Sequence, residues 1–248
     1  LLAAVQPHTR LLFLGHPNNP TGTYLPKAAL ETLWAQLPEH VLVVVDEAYA
    51  EYATATDFVS ALALRQRRES WLVLRTFSKV YGLAGARVGY ALGPEPVIAA
   101  LHKVRPPFQL GTLAAAAAAA ALAAQDHVQM SATRSAAERS RLQAALTDMG
   151  LACTPSEANF ILVQTPLPSA ALFQALLQHR LIVRPLGPPL AQAVRITVGT
   201  PAQNDALLAA LARVLAASQT VLHQETTDAP SATCGSDSRA HCAAKQRT

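Results

Sequence analysis

One lysine has the neighbours that covalent amine chemistry requires. Lys79 ends the segment Arg75–Lys79, which directly follows the apolar run Trp71–Leu74, and several glycines and Arg87 come next. A lysine amine adds to carbonyl groups to form a Schiff base, and an arginine binds phosphate through two parallel hydrogen bonds. The segment therefore predicts a reactive lysine beside a phosphate site. The alternative is an ordinary exposed loop lysine.

Two other polar segments follow predicted strands. Asn19 lies in the proline- and glycine-bounded loop Pro17–Gly22, for which a rigid turn is the alternative. Asp46 closes the β-branched run Val41–Val45, where a carboxylate is costly unless it meets a positive partner. That partner would be a protonated ring nitrogen or an arginine. Because ligands of open α/β sheets collect at the carboxyl ends of strands, we expect these segments and Lys79 to meet.

Strands alternate with helices in the first half of the chain, which predicts a mostly parallel sheet covered by helices, an α/β fold. The predicted strands there are Arg10–Gly15, Val41–Val45, Trp71–Leu74 and Val88–Leu92, and the predicted helices are Lys27–Leu37, Phe58–Arg67 and Pro94–Lys103. Two helices, Gly111–Ala124 and Asp126–Met149, come next. Gly150 is placed to cap the second of them.

The remaining pattern predicts a smaller α+β unit followed by a tail. Its strands are Asn159–Val163, Leu181–Arg184 and Val194–Val198, and its helices are Ser169–His179 and Ala202–Ala217. We place the domain boundary near Gln125, which gives a large domain at 1–125 and a small domain at 126–217. Residues 218–248 have few large apolar side chains and are predicted to be disordered.

The composition favours a globular cytoplasmic protein. The chain has 248 residues, of which 51% are hydrophobic and 15% charged, and its net charge is +4. It has no apolar run of membrane-spanning length, and its scattered basic residues with few aromatics give little support for nucleic-acid binding. Three cysteines, Cys153, Cys234 and Cys242, lack the spacing of metal ligands or of a disulfide framework.

Taken together, these motifs resemble those of the fold-type I aminotransferases of class I and II, which depend on pyridoxal 5′-phosphate (PLP). The resemblance runs from about Leu11 to Leu215. It is carried by Pro17–Gly22, Asp46–Tyr49, Ser78–Lys79 with Arg87, Ala158–Phe160 and Val194–Gly199. Within the family, the pattern is similar to the branch that acts on histidinol phosphate.

The resemblance implies a role for each motif. Lys79 would form the Schiff base with PLP and then shuttle a proton. Asp46 would pair with the ring nitrogen, while Asn19 and Tyr49 would hydrogen-bond the ring hydroxyl oxygen. The residues implied for the cofactor phosphate are Thr76, Ser78 and Arg87, and those implied for the substrate are Arg184, Arg195 and Asn159.

The resemblance also implies an activity and a partner. The expected reaction transfers an amino group between histidinol phosphate and 2-oxoglutarate, in a homodimer. An aromatic aminotransferase, a threonine-phosphate decarboxylase and a non-catalytic remnant stay open as alternatives. Family members carry a segment before the position of Leu1 that completes the cofactor site, so we expect this chain alone to retain PLP weakly.

Overall fold

The computed structural model describes residues 1–227. The first unit is a four-stranded sheet in the order β1-β2-β3-β4, formed by β1 (Leu11–Gly15), β2 (Leu42–Asp46), β3 (Trp71–Thr76) and β4 (Gly89–Leu92). The first three strands are parallel, and β4 is antiparallel to β3. The prediction of a mostly parallel sheet is thus confirmed.

One face of this sheet is packed against helix α1 (Lys27–Gln36), which begins directly after Pro26. Val43, Val45 and Val73 point to that face and are fully buried with Trp34 of the helix. The helix predicted at Phe58–Arg67 is a 3-10 helix over Ala61–Arg67 that packs into the same core. This layer anchors the strands whose carboxyl ends carry Asn19, Asp46 and Lys79.

Three helices link the first unit to the second. They are α2 (Glu95–Val104), α3 (Thr112–Ala123) and α4 (Gln125–Asp148). None of the residues of α2 is buried. Gly150 follows α4 with a φ of +80°, the left-handed conformation expected of a helix-ending glycine.

The second unit has an antiparallel sheet in the order β5-β6-β8-β7, covered by two helices. Its elements are β5 (Cys153–Thr154), β6 (Phe160–Gln164), α5 (Ser169–Gln178), β7 (Arg184–Pro185), β8 (Ala193–Thr197) and α6 (Pro201–Thr227). Its core is built from fully or almost fully buried aliphatic side chains of α4, α5, α6 and the sheet: Leu142, Leu172, Ile196 and Leu211.

Three boundaries differ from the sequence-based prediction. The strand expected at Leu181–Arg184 is shorter and lies at Arg184–Pro185, and β5 was not predicted. Helix α6 continues to Thr227 instead of ending at Ala217, so the predicted tail 218–248 begins inside a helix. Beyond Thr227 the prediction of disorder, with Cys234 and Cys242, lies outside the described residues. Within them, none of the helices is long and apolar enough to cross a membrane.

A buried ion pair connects the two units. Arg139 of α4 is 5% exposed and donates hydrogen bonds to the carbonyl oxygens of Tyr52 (3.3 Å) and Ala158 (2.9 Å). Its Nη2 also lies 3.2 Å from Oε2 of Glu157, and that carboxylate accepts hydrogen bonds from Thr54 of the first unit. The segment that follows Tyr49 is therefore held against the loop that precedes β6.

Candidate active site

The carboxyl ends of β1, β2 and β3 surround a cavity of about 560 Å³. Four predicted site residues line it together: Asn19, Asp46, Tyr49 and Lys79. Phe13, Val44 and Leu74 form its apolar wall. The expectation that the polar segments meet at this edge of the sheet is therefore confirmed for these four side chains.

The lysine amine lies against an aromatic ring. Nζ of Lys79 is 5.1 Å from the centre of the Tyr49 ring, within the range of a cation–π contact. The Tyr49 ring is itself buried and meets Phe160 of β6 edge to face at 5.1 Å. Packing from the second unit thus fixes the ring on which the amine rests.

Asp46 differs from the sequence-based expectation. Its side chain is exposed and accepts a hydrogen bond from the backbone of Ala48 at 3.0 Å, so it carries no desolvation cost that a partner must offset. The reason is that this face of the sheet is open: Phe13, in the neighbouring strand, is 70% exposed. The buried carboxylate is that of the next residue, Glu47, which pairs with Arg75 at 2.6 Å.

The residues predicted to hold a phosphate lie at the end of β3 and in the loop that follows it. The backbone N–H of Ser78 donates to Oγ1 of Thr76 at 3.0 Å. Arg87 has a φ of +53° and donates to the carbonyl of Ala84 at 2.8 Å, with its side chain exposed. These three side chains do not line the cavity, but the same turn carries Lys79.

Arg195 of β8 reaches the cavity from the second unit. Its Nη1 donates to Oδ1 of Asn19 at 2.6 Å, and its guanidinium carbon lies 5.1 Å from the centre of the Phe160 ring. Nε of Arg195 is buried and has no hydrogen-bond partner within residues 1–227. Arg184 of β7 stands directly opposite Arg195 in the antiparallel register and is exposed.

Asn159 lies behind the cavity lining. Its side chain hydrogen-bonds the phenol of Tyr52, and its backbone carbonyl accepts from Val198. Burial, assisted by the negative charge of Glu51, raises the pKa of Tyr52 to about 12, although the Asn159 hydrogen bond opposes that rise. Asn159 is not among the residues that line the cavity.

His16 is part of the scaffold beneath the candidate site. The ring is fully buried and stacked on Phe58 at 4.7 Å. Its Nδ1 accepts from the backbone N–H of Leu25 at 3.3 Å, which leaves Nε2 to donate to the carbonyl of Val59 at 2.9 Å. Burial lowers the pKa of His16, in keeping with a neutral ring that uses both nitrogens.

Sequence reasoning missed the ion pairs of two largely buried arginines of this region, Arg75 and Arg139. Each is paired with a carboxylate from a different segment, Glu47 and Glu157 respectively. An arginine inside an apolar strand run is the only local signal for the first, and none exists for the second. Within residues 1–227, no cluster of side chains suited to holding a metal ion was found.

The fold and the site define a class of protein. The family of aminotransferases of class I and II has a sequence model that matches residues 1–211. This chain therefore belongs to the class I and II aminotransferase family.

Two individual aminotransferases are similar to this chain over most of its length. The chain is 43% identical over 216 residues to histidinol-phosphate aminotransferase 1 of Nitrosococcus oceani, covering 87% of this chain and 58% of that protein. It is 44% identical over 208 residues to an aromatic amino acid aminotransferase of Mycobacteroides abscessus, covering 84% and 59%. The chain thus spans less than two thirds of the length of these relatives.

A solved structure shows the same architecture. The crystal structure of histidinol-phosphate aminotransferase from Sinorhizobium meliloti in complex with pyridoxal-5′-phosphate superimposes with a TM-score of 0.75 at 34% identity. The match covers 84% of this chain and 58% of that one.

Proposed function

We propose that this chain carries the lysine-bearing part of a PLP-dependent aminotransferase site. The observation that carries the proposal is the single cavity shared by Lys79, Tyr49, Asn19 and Asp46. When bound, PLP supplies an electron sink that stabilises negative charge on the substrate carbon. The relative from Sinorhizobium meliloti, which was solved with that cofactor, supports the assignment.

The donor set of the cavity fits the polar groups of the cofactor. Lys79 offers the amine that bonds an aldehyde, and Asp46 offers an exposed carboxylate to a protonated ring nitrogen. Since Oδ1 of Asn19 is taken by Arg195, the Nδ2 amide hydrogens of Asn19 stay free to donate to the ring hydroxyl oxygen. Tyr49 offers a second hydroxyl donor to the same atom.

The turn after β3 would hold the cofactor phosphate. Thr76 and Ser78 offer hydroxyl groups on either side of the turn, and Arg87 offers a guanidinium on an exposed side chain. Binding would require the Arg87 side chain to exchange its bond to the Ala84 carbonyl for phosphate oxygens.

In the reaction, Nζ of Lys79 is the atom that takes and returns the proton of the substrate carbon.

The arginine pair on β7 and β8 favours an anionic substrate group. Like charges directly opposite each other in an antiparallel ladder destabilise it, and an anion between them removes that cost. Arg184 and Arg195 stand in that register, and Nε of Arg195 has a hydrogen to donate. We therefore propose histidinol phosphate as the amino donor and 2-oxoglutarate as the acceptor, in histidine biosynthesis in the cytoplasm.

A second candidate substrate class is an aromatic amino acid. The Mycobacteroides abscessus relative has that name at an identity similar to the histidinol-phosphate relatives. The two candidates share the chemistry at Lys79 and differ at Arg184, because an amino acid carboxylate needs one arginine whereas a phosphate dianion uses two. Arg184→Gln separates them: it should raise KM for histidinol phosphate and leave KM for an aromatic amino acid unchanged.

The apolar surface of α2 and α3 supports a second copy of the chain as the partner. Val104, Phe108 and Leu113 are 78%, 100% and 88% exposed. They lie at the end of α2, in the loop that follows and at the start of α3, and exposed large apolar side chains are typical of a protein interface. We propose that this surface forms part of a homodimer contact.

The proposal is tested by trapping the covalent bond between Lys79 and PLP. The purified chain is incubated with PLP, reduced with borohydride, digested and analysed by mass spectrometry. The expected result is a pyridoxyl adduct on Lys79 that is absent from Lys79→Arg. Labelling spread over the exposed lysines Lys27 and Lys103, with none on Lys79, would refute the proposal.

Turnover is a separate measurement from binding. The trapped adduct at Lys79 reports cofactor binding alone. Release of glutamate from histidinol phosphate and 2-oxoglutarate measures the transamination. Loss of carbon dioxide from threonine phosphate would indicate a decarboxylase instead, and no adduct at all would indicate a non-catalytic remnant.

A further inference from the structure

A buried guanidinium lies on the face of the sheet opposite the cavity. Side chains alternate between the two faces of a strand, so Asp46 and Leu74 face the cavity while their neighbours Glu47 and Arg75 face the packed core. The Glu47 side chain is 0% exposed and that of Arg75 is 15% exposed. The pair therefore lies directly beneath the strand ends that carry the candidate site.

Arg75 divides its donors between two carboxylates. Its Nε and Nη2 lie 2.9 and 2.6 Å from Oε2 of Glu47, and its Nη1 lies 2.8 Å from Oε1 of Glu51. Burial lowers the pKa of Arg75, but the charges and hydrogen bonds of the two carboxylates raise it above its ordinary value. The guanidinium is thus a permanent cation that bridges two points of the segment following β2.

The carboxylate of Glu47 has further donors that hold it in place. The hydroxyl of Ser60 donates to both of its oxygens, at 3.0 and 2.8 Å, and the backbone N–H of Ala61 donates to Oε1 at 2.6 Å. Nη2 of Arg75 also reaches the Ser60 hydroxyl at 3.3 Å. A network satisfied in this way is rigid, since each group would lose a charged hydrogen bond by moving.

The network lies within four residues of three of the side chains that line the cavity. Glu47 directly follows Asp46, Glu51 comes two residues after Tyr49, and Arg75 comes four residues before Lys79. We propose that Arg75 is a positioning residue: it fixes the Asp46 carboxylate and the Tyr49 ring relative to Lys79 without contacting cofactor or substrate. The inference rests on the proposed function, because the groups it positions are those proposed to hold PLP.

The matched control is Arg68, a buried arginine between the 3-10 helix and β3. Arg68 is 5% exposed, and its guanidinium donates to backbone carbonyls that include those of Leu37 (3.3 Å) and Val41 (2.7 Å), at the amino end of β2. Replacing Arg68 with lysine removes a comparable set of bonds at the end of the strand away from the cavity. Both substitutions therefore perturb packing around the same sheet, but only Arg75→Lys does so beside the candidate site.

The experiment compares wild type, Arg75→Lys and Arg68→Lys as full chains. It measures the dissociation constant for PLP, the pH midpoint of the visible absorbance of the lysine-bound cofactor, and Tm without PLP. A lysine at position 75 keeps the charge but cannot reach two carboxylates in a fixed plane. We expect Arg75→Lys to weaken PLP binding about tenfold, the lower end of what loss of an outer hydrogen-bond partner costs at metal sites.

The pH midpoint distinguishes positioning from plain stability. We expect it to rise in Arg75→Lys, because a ring nitrogen held less firmly by Asp46 keeps less positive charge. Arg68→Lys should lower Tm and change neither the dissociation constant nor the midpoint. Should Arg75→Lys not fold, Glu51→Gln gives the same test at a position whose side chain is 12% exposed, with the Glu47 pair left intact.

The outcomes separate this inference from the proposed function. Arg75→Lys with PLP affinity within about twofold of wild type and an unchanged midpoint would overturn the positioning role alone. Equal losses of affinity in Arg75→Lys and Arg68→Lys would also overturn it, since the effect would then be general destabilisation. A wild-type chain that forms no adduct at Lys79 would overturn the proposed function, and the positioning role with it.

Discussion

Replacing Arg139 with methionine should destabilise the contact between the two units. The substitution keeps an apolar stem of similar length but removes the four hydrogen bonds that the guanidinium makes to Tyr52, Ala158, Thr54 and Glu157. Breaking a buried ion pair by removing one partner costs about 3–5 kcal/mol, because the other charge stays buried.

Three hydrogen bonds that the Glu157 carboxylate still accepts after the substitution place the cost at the lower end of that range. Oε2 of Glu157 keeps its bonds to the backbone N–H groups of Thr54 and Ala55, at 2.5 and 3.2 Å, and to the Thr54 hydroxyl at 3.1 Å. The Glu157 side chain is also 17% exposed, so water reaches it in part. We therefore expect a loss of about 3 kcal/mol in the free energy of unfolding.

The assay is urea denaturation followed by circular dichroism, with Arg141→Met as the control. Arg141 lies two residues further along α4 and pairs with Glu138 and Asp205, but its side chain is 42% exposed. Its removal should leave the free energy of unfolding within experimental error, since exposed pairs contribute little. Equal effects of the two substitutions would refute the argument that burial of Arg139 sets the magnitude.

Three further predictions concern other parts of the chain. The pKa of His16 is lowered in the folded state, so the unfolded state binds more protons as the pH falls below 6.5. The free energy of unfolding should therefore decrease as the pH falls from 6.5 towards the folded pKa. His16→Gln should flatten that slope in denaturation experiments. Gly22→Ala should lower the free energy of unfolding by about 2–4 kcal/mol, because φ is +76° and a Cβ would lie 2.1 Å from Oγ of Ser156. Gly150→Ala, where φ is +80° but the space is open, should lower it by about 1 kcal/mol. Equal losses would contradict this argument. Phe108→Ser should shift sedimentation from dimer to monomer, and an unchanged profile would argue against the α2–α3 interface.

The sequence predicted the parts of the fold that have local signatures. The run Val41–Val45 predicted a strand buried in the centre of the sheet because β-branched side chains without polar interruption suit that environment. The glycine and proline loop Pro17–Gly22 and the segment around Lys79 indicated the site because their residue types are unusual at strand ends. These features are short-range, so they can be recognised without knowledge of the tertiary structure.

The features that escaped prediction depend on long-range contacts. The exposure of Asp46 follows from the open face of the sheet beside Phe13, which the strand pattern does not report. The pairs of Arg75 with Glu47 and of Arg139 with Glu157 join segments far apart in sequence, and many carboxylates could have been their partners. The antiparallel direction of β4 depends on the three-dimensional path of the turn after Lys79.

The hydrogen bond between Asn19 and Arg195 spans 176 positions of the chain. At a synthesis rate of about 10 residues per second, Arg195 leaves the ribosome roughly 18 s after Asn19. During that time the first unit lacks the arginine that contacts Asn19 at the cavity. Strands β1 to β3 and helix α1 all lie between Leu11 and Thr76 and can form during that interval. The affinity of the cavity for an anion should therefore appear as a late, single event in folding, after the scaffold around Lys79 is already in place.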